Sequence, residues 1–181
     1  MRDKWDLSKI SCLVAEDNPH MRTILRSVLS GFGIRSVFEA SDGAEALELV
    51  VDRKPDIVLC DWVMSPFGGN EFLRILRADR DLLASTTPVL IVTAHAKRAT
   101  ILEAIEIGIH GFVAKPIAPA ILYRHIGEIL ERQELQGRSK GILGPGHQKP
   151  LRKLEVTDLS GMAAPEADVQ PEQEMAGLAL L

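Results

Sequence analysis

The chain has 181 residues, 46% of them hydrophobic, so it can bury an ordinary core and has room for one domain plus an extension. Its formal net charge of −4 excludes the broad positive field expected of a nucleic-acid-binding surface. Cys12 and Cys60 are its two cysteines, too few for a disulfide framework.

Apolar runs and helix-periodic segments alternate along the first three quarters of the chain. After a polar lead over residues 1–8, five short apolar runs predict strands: Ile10–Ala15, Val37–Ala40, Ile57–Cys60, the run after Pro88, and Gly111–Ala114. Helical spacing predicts helices that begin at or near Pro19, Ala44, Gly69, Lys97 and Pro119. Five strand–helix repeats predict a doubly wound α/β fold. In the helix Lys97–Ile107 the pattern predicts that Ile101, Leu102 and Ile105 face the core.

Four of the apolar runs end in polar side chains. The first ends in Glu16 and Asp17, the third in Asp61, the fourth in Thr93 and the fifth in Lys115. Because the carboxyl ends of parallel strands share one edge of a sheet, where ligands bind, we expect these groups to lie together. Three carboxylates can hold a small hard cation, and a hydroxyl and an ammonium can hold an anion. The pattern indicates a site for Mg²⁺ and a phosphoryl group.

The ordered set of motifs resembles the receiver domain of two-component response regulators, stand-alone chemotaxis-type regulators in particular. The motifs are Glu16-Asp17, Asp61 within Asp-Trp-x-Met with Gly69 after it, Thr93-Ala94 and Lys115-Pro116. The resemblance covers about residues 9–133. It implies a flavodoxin-like fold, with a five-stranded parallel sheet in the order 2-1-3-4-5 and helices on both faces.

The resemblance also implies a role for each acid of the site. Asp61 is the expected phosphoacceptor, phosphorylated by a histidine kinase or a phosphotransfer protein. Asp17 is expected to bind Mg²⁺ directly and Glu16 largely through water. The remaining protein ligand is expected to be the backbone carbonyl of Val63.

Three further residues complete the expected site. Thr93 and Lys115 are expected to contact the phosphoryl group, and the Lys115-Pro116 peptide bond is expected to be cis. Phe112 matches an aromatic switch position, where the ring moves inward as Thr93 moves toward phosphate.

Each of these residues also has an ordinary structural explanation. Asp61 can cap a turn, and the Glu16-Asp17 pair can cap the helix that begins at Pro19. Lys115 can be a surface residue of a turn, Thr93 an ordinary β-branched strand residue, and Phe112 a permanently buried core residue.

Two positions depart from common family variants. Val63 stands two residues after Asp61, and His95 stands two residues after Thr93. In the family these positions flank the water that hydrolyses the acyl phosphate. Valine cannot orient water by hydrogen bonding, whereas His95 either does so or is simply a solvated loop residue.

The expected function is a phosphorylation-dependent protein-interaction switch that catalyses only its own phosphotransfer and dephosphorylation. A downstream target is expected to bind through the last helix, the fifth strand and the helix Lys97–Ile107. One alternative is a receiver-like scaffold that acts without phosphorylation. Another is a phosphohydrolase of the haloacid dehalogenase type, which needs a second acid where Val63 stands.

The last quarter of the chain, residues 134–181, has a different composition. It contains four prolines and no aromatic residue, with basic residues first and acidic residues later, and predicts a flexible tail. Leu151–Leu159 alternatively forms a short docking segment for a partner. The start of the chain is too polar for a signal peptide, and no apolar run approaches 18 residues, so we expect a cytoplasmic protein.

The two cysteines are predicted to be buried free thiols. If Asp17 and Asp61 lie level at the sheet edge, Cys12 and Cys60 are offset by about four residues, or roughly 13 Å along the strands. That separation exceeds the reach of a disulfide.

Overall fold

A computed structural model of the protein describes residues 5–136. Its strands are β1 (Ser11–Ala15), β2 (Ser36–Ala40), β3 (Ile57–Cys60), β4 (Val89–Thr93) and β5 (Gly111–Ala114). Its helices are α1 (Pro19–Gly31), α2 (Gly43–Arg53), α3 (Gly69–Ala78), α4 (Leu82–Ser85), α5 (Arg98–Ile107) and α6 (Pro119–Leu135). The strands form one parallel sheet in the order β2-β1-β3-β4-β5, which confirms the predicted fold.

Helices cover both faces of the sheet, because the inner strands carry apolar side chains on each face. β3 and β4 are buried along their whole length, and β1 is buried from its second residue. Successive residues of β1 enter different hydrophobic clusters: Cys12 and Val14 belong to one, and Leu13 and Ala15 to the other. The two clusters hold the sheet rigidly between two helical layers.

Cys12 and Cys60 are both free and buried. Ala15 pairs with Cys60 in the parallel register, so the two cysteines are offset by three residues rather than the four expected. They also belong to different clusters, on opposite faces of the sheet. Burial raises the pKa of both thiols, which keeps them protonated and unreactive.

The first helix begins as its sequence predicts. The Asn18 side chain accepts hydrogen bonds from the backbone N–H groups of His20 and Met21, at 2.9 and 3.3 Å, and Pro19 is the first helical residue. This cap fixes the point at which the chain leaves the carboxyl end of β1 and enters α1. The residues between, Glu16 and Asp17, are thereby held at the sheet edge.

The prediction that Ile101, Leu102 and Ile105 of α5 face the core is wrong for two of these three residues. Leu102 and Ile105 are 46% and 50% exposed, and Ile101 is partly buried. The fully buried residue of this helix is Ala104. A small residue at the contact lets a helix approach its neighbours closely, and the larger apolar side chains then lie on its sides.

A short helix, α4, was not predicted from the sequence. Asp81 caps it by accepting a hydrogen bond from the N–H of Leu83 at 2.8 Å. Four residues are too few to show a helical period, and Leu82 and Leu83 are 70% and 66% exposed. The sequence of this segment therefore could not be distinguished from that of a loop.

The segment predicted as a polar lead contacts α6 through Trp5. Trp5 is 6% exposed, and its indole N–H donates to Glu131 at 3.0 Å. The Tyr123 hydroxyl accepts from the backbone N–H of Trp5 at 3.1 Å and donates to its carbonyl at 3.0 Å. A Cβ atom on Gly127 would lie 2.1 Å from the indole, so the absence of a side chain there admits Trp5 onto α6.

The predicted tail lies outside the described residues from residue 137 onward, as does the docking segment Leu151–Leu159. Residues 134 and 135, assigned to the tail, form the last turn of α6. Within residues 5–136, none of the helices combines the length and the hydropathy needed to cross a membrane.

The contact between Gly127 and Trp5 predicts an inverted mutational effect. Gly→Ala in a helix normally stabilises by up to about 1 kcal/mol, but Gly127→Ala should destabilise the protein by about 1–3 kcal/mol through overpacking. Thermal and urea unfolding of both proteins measures the difference. In a Trp5→Ala background the same substitution should be neutral or stabilising. A stabilising Gly127→Ala in the otherwise unchanged chain would contradict the packing described.

Candidate functional site

The parallel ladder continues one residue beyond β1, β3 and β5 and brings their polar ends to one edge. The N–H of Asp61 donates to the carbonyl of Ala15 at 2.9 Å, and the N–H of Glu16 donates to Ala40 at 3.1 Å. The N–H of Lys115 donates to the carbonyl of Thr93 at 2.9 Å. Backbone hydrogen bonds therefore fix the positions of the polar residues that follow the strands.

Lys115 bridges two carboxylates at this edge. Its Nζ lies 2.6 Å from Glu16 Oε2 and 2.6 Å from Asp61 Oδ2. Glu16 and Asp61 are 3% and 8% exposed, so the two negative charges share a largely desolvated space. The ammonium separates them and compensates their repulsion.

The pKa directions of Lys115 and Glu16 follow from this arrangement. Burial alone lowers the pKa of Lys115, but the hydrogen bonds and charges of Asp61 and Glu16 outweigh it, so the net shift is upward and the lysine stays charged. Burial raises the pKa of Glu16, and the lysine offsets only part of that effect. Glu16 is therefore easier to protonate than an exposed glutamate.

Asp17 has surroundings different from those of Glu16. Its side chain is exposed, and its Oδ2 accepts a hydrogen bond from the N–H of Ser65 at 3.2 Å. The N–H of Val63, in the same loop, donates to Asp61 Oδ1 at 3.2 Å, and Val63 is 50% exposed. The loop after Asp61 thus contacts both Asp61 and the exposed Asp17.

Buried side chains anchor that loop. Trp62 and Met64 are 8% and 7% exposed and pack in the same cluster as Ala15. The N–H of Gly69 donates to Trp62 at 3.1 Å, and a Cβ atom on Gly69 would lie 2.2 Å from the carbonyl oxygen of Asp61. Glycine is required at position 69 because α3 begins against the backbone of Asp61.

Thr93 and Phe112 lie on β4 and β5, which are neighbouring strands of the sheet. Thr93 is fully buried, and its hydroxyl accepts a hydrogen bond from the N–H of His95 at 3.2 Å. Phe112 is partly buried and pairs in register with Ile91. The Lys115-Pro116 peptide bond is cis, as the resemblance implied, and Ser65-Pro66 is also cis, which the sequence analysis did not anticipate.

The expected cluster of three carboxylates is not assembled in residues 5–136, where no group of three His, Cys, Asp or Glu side chains is placed to hold a metal ion. Glu16 and Asp61 face Lys115, whereas Asp17 faces the N–H of Ser65. Mg²⁺ commonly binds one or two carboxylates and keeps several waters. The exposed Asp17 and the neighbouring Asp61, with the Val63 carbonyl, are donors that fit a hydrated Mg²⁺ ion.

One residue at this edge was missed by the sequence analysis. Arg22, in the second turn of α1, donates from Nη1 to the carbonyls of Glu16 and Asp17, at 2.6 and 3.3 Å. The available sequence signal was its position, five residues after the acidic pair. Side chains near the start of a helix point back toward its N-terminus, so Arg22 can reach the loop that precedes α1.

Comparisons with known proteins agree with this fold. Residues 12–127 match the family model of the response regulator receiver domain. Chemotaxis protein CheY of Pseudomonas aeruginosa is 38% identical over 120 residues, which cover 66% of this chain and 95% of that protein. CheY-3 of Vibrio cholerae is 37% identical over 120 residues, covering 66% and 91%.

Solved structures give the same picture. The chemotaxis response regulator CheY4 of Vibrio cholerae superposes with a TM-score of 0.61 at 26% identity, over 67% of this chain and 98% of that one. The receiver domain of Francisella response regulator 1452 gives 0.62 at 26% identity, over 69% and 99%. The chain belongs to the response regulator receiver domain family, whose members are signalling proteins rather than conventional enzymes.

The bridge predicts how the stability of a Lys115→Met variant depends on pH. Removing the ammonium leaves Glu16 and Asp61 buried together, and we expect a loss of about 3 kcal/mol at pH 7.5. The loss should shrink toward pH 5. Burial already raises the pKa of Glu16, and without the lysine this pKa rises further, so in this range the folded variant binds more protons than the unfolded chain.

Urea unfolding at the two pH values measures this effect. Lys97→Met, at an exposed lysine, is the control and should lose little at either pH. A loss that grew on acidification would contradict the bridge as the source of the stabilisation.

Proposed function

We propose that this protein is a two-component response regulator that receives a phosphoryl group on Asp61 from a histidine kinase or a phosphotransfer protein. The observation that carries the proposal is the pair of 2.6 Å contacts that Lys115 makes with Asp61 and Glu16 at the carboxyl edge of the sheet. A lysine in this position can donate first to the Asp61 carboxylate and then to an oxygen of a phosphoryl group bound to it. The proposed receiver domain spans residues 9–133.

In the proposed transfer, Asp61 acts as a nucleophile. A carboxylate oxygen attacks the phosphorus of a phosphohistidine, an O–P bond forms, and the N–P bond breaks. The bonding electrons leave with the imidazole nitrogen. Lys115 can then donate to a phosphoryl oxygen, at the cost of its contact with Asp61, while Glu16 continues to hold it.

Mg²⁺ is the proposed cofactor, with Asp17, Asp61 and the Val63 carbonyl as its protein ligands and Glu16 acting through water. When bound, it neutralises charge between the anionic acceptor and the anionic donor. The structure supports a division of labour between the paired acids, because Glu16 is committed to Lys115 whereas Asp17 is exposed. Asp17 is the acid that a hydrated ion can reach from solvent.

Output is proposed to pass through a change in population of two conformations. Thr93 would exchange its contact with the N–H of His95 for one with the phosphoryl group, and Phe112 would move inward behind it. A target would bind on α6, β5 and α5. This surface is supported by exposed apolar side chains: Leu102 and Ile105 on α5, and Ile121 on α6, which is 43% exposed.

Phosphorylation of Asp61 can be tested with a matched pair of aspartates. Asp61→Asn should abolish labelling by radioactive acetyl phosphate in Mg²⁺, because the amide oxygen is a poor nucleophile. Asp56→Asn is the control, since Asp56 lies before the opposite end of β3 and accepts hydrogen bonds from Ser11. It should label normally. Base-labile label on Asp61→Asn would refute the assignment, and an unlabelled native chain would favour the phosphorylation-independent scaffold.

The lifetime of the acyl phosphate tests the positions that flank the attacking water. Val63→Asn should speed spontaneous loss of phosphate, roughly tenfold or about 1.4 kcal/mol of barrier, by adding a side chain that can orient water. Val51→Asn is a matched control, because Val51 is 51% exposed and Val63 is 50% exposed. If His95 orients water, His95→Ala should slow the loss.

Decay of label after removal of the donor gives these rates directly. If Val63→Asn and His95→Ala both decay at the native rate, then these two positions do not control hydrolysis in this protein.

A further inference from the structure

Arg22 holds the backbone of the acidic pair from the side of α1. Its Nη1 donates to the carbonyl oxygen of Glu16 at 2.6 Å and to that of Asp17 at 3.3 Å. Its Nε lies 3.7 Å from the carboxylate of Glu39, on β2, and the arginine side chain is only 19% exposed. The guanidinium therefore pairs with the Glu39 carboxylate on one side and donates hydrogen bonds to two consecutive carbonyls on the other.

Two consecutive carbonyls fix more than the backbone path. Each peptide group is planar, so the direction of a carbonyl fixes the plane of its peptide. The carbonyls of Glu16 and Asp17 belong to the peptide groups on either side of the Asp17 Cα, so holding both limits the directions available to its side chain. Among residues 5–136, the one hydrogen bond that the exposed carboxylate accepts is a long one, 3.2 Å, from the N–H of Ser65. The hydrogen bonds of Arg22 thus restrict the orientation of the Asp17 side chain more than the single contact of its own carboxylate does.

The positive charge of Arg22 repels a cation at the same edge. Any contribution of Arg22 to cation binding therefore has to come from its effect on the orientation of Asp17. Glu39 offsets part of that charge through its contact with Arg22. Glu39 also pairs with Arg26 at 2.8 Å, but Arg26 is 63% exposed and lies one turn further along α1. The two arginines share one acid and differ in their contact with the loop.

We propose that Arg22 is a positioning residue for the metal site, one that aims the Asp17 carboxylate at Mg²⁺ by fixing the two peptide planes beside it. This inference rests on the proposed function, because it concerns the ion that phosphotransfer to Asp61 requires. It assigns Arg22 no contact with the ion or with the phosphoryl group.

The test compares Mg²⁺ binding by the full chain with that of Arg22→Met and Arg26→Met. Methionine keeps an unbranched side chain and a high helix propensity but donates no hydrogen bond. Binding is followed by the fluorescence of Trp62, which adjoins Asp61, and an Asp17→Ala variant defines the signal that does not come from the site. Loss of an outer contact that orients a metal ligand typically weakens binding by about 10-fold or more. We expect a Kd about 10-fold higher for Arg22→Met and within twofold of native for Arg26→Met.

Phosphorylation then separates positioning from a general structural role. At saturating Mg²⁺, labelling of Arg22→Met by acetyl phosphate should return to the native level, because only the affinity for the ion is impaired. A native Kd for a folded Arg22→Met would overturn the inference, as would labelling that stays low at saturating Mg²⁺. If Arg22→Met fails to fold, Arg22→Lys decides, since it keeps the charge but replaces the planar guanidinium with a single ammonium group. A raised Kd then supports the inference, and a native Kd overturns it.

Failure of the proposed function has a different signature. If the native chain shows no fluorescence response that Asp17→Ala removes, the metal site itself is wrong, and the role of Arg22 is lost with it. If the native response is present and Arg22→Met leaves it unchanged, the metal site stands and only the inference about Arg22 is overturned.

Discussion

The site depends on one ammonium between two buried carboxylates. Lys115 follows β5, Asp61 follows β3 and Glu16 follows β1, so their contacts connect the ends of three of the five strands. Without a cation between them, two carboxylates exposed by only 3% and 8% would repel each other and would be costly to bury. The same geometry explains why the lysine remains charged: the favourable charges outweigh its own burial. A structural requirement of the fold and a chemical requirement of the site therefore fall on the same residue.

The acidic pair is neighbouring in sequence but divided in environment. Glu16 is buried and bridged, whereas Asp17 is exposed, lies close to the loop after Asp61, and has its backbone carbonyl held by Arg22. Consecutive residues at the end of a strand point to opposite sides, so one of two adjacent acids turns inward and the other outward. This alternation is enough to give two identical functional groups different roles, without any difference in their chemistry.

Much of the fold and of the site could be predicted from the sequence, for an identifiable reason. Continuous apolar runs identify buried parallel strands, and polar residues at their ends identify a shared edge, so Glu16, Asp61 and Lys115 could be grouped before any contact was known. The contacts of Arg22 and Trp5 could not be predicted in this way. Arg22 contacts backbone carbonyls, so only its spacing from the acidic pair pointed to it and no side-chain chemistry named its partners. Trp5 is buried because Gly127, more than 120 residues later, leaves space for its indole.

The wrong prediction for α5 marks a limit of a different kind. Hydrophobic periodicity correctly gave a helix, but it does not say which element covers the apolar face. Within the described residues the buried position of α5 is occupied by the small Ala104, and Leu102 and Ile105 remain about half exposed. When a partner covers exposed apolar side chains, their burial stabilises the complex by about 25 cal/mol per Å² of apolar surface removed from water. In the proposed function, a target that buried Leu102 and Ile105 would therefore gain binding energy from the two residues whose burial the sequence overestimates.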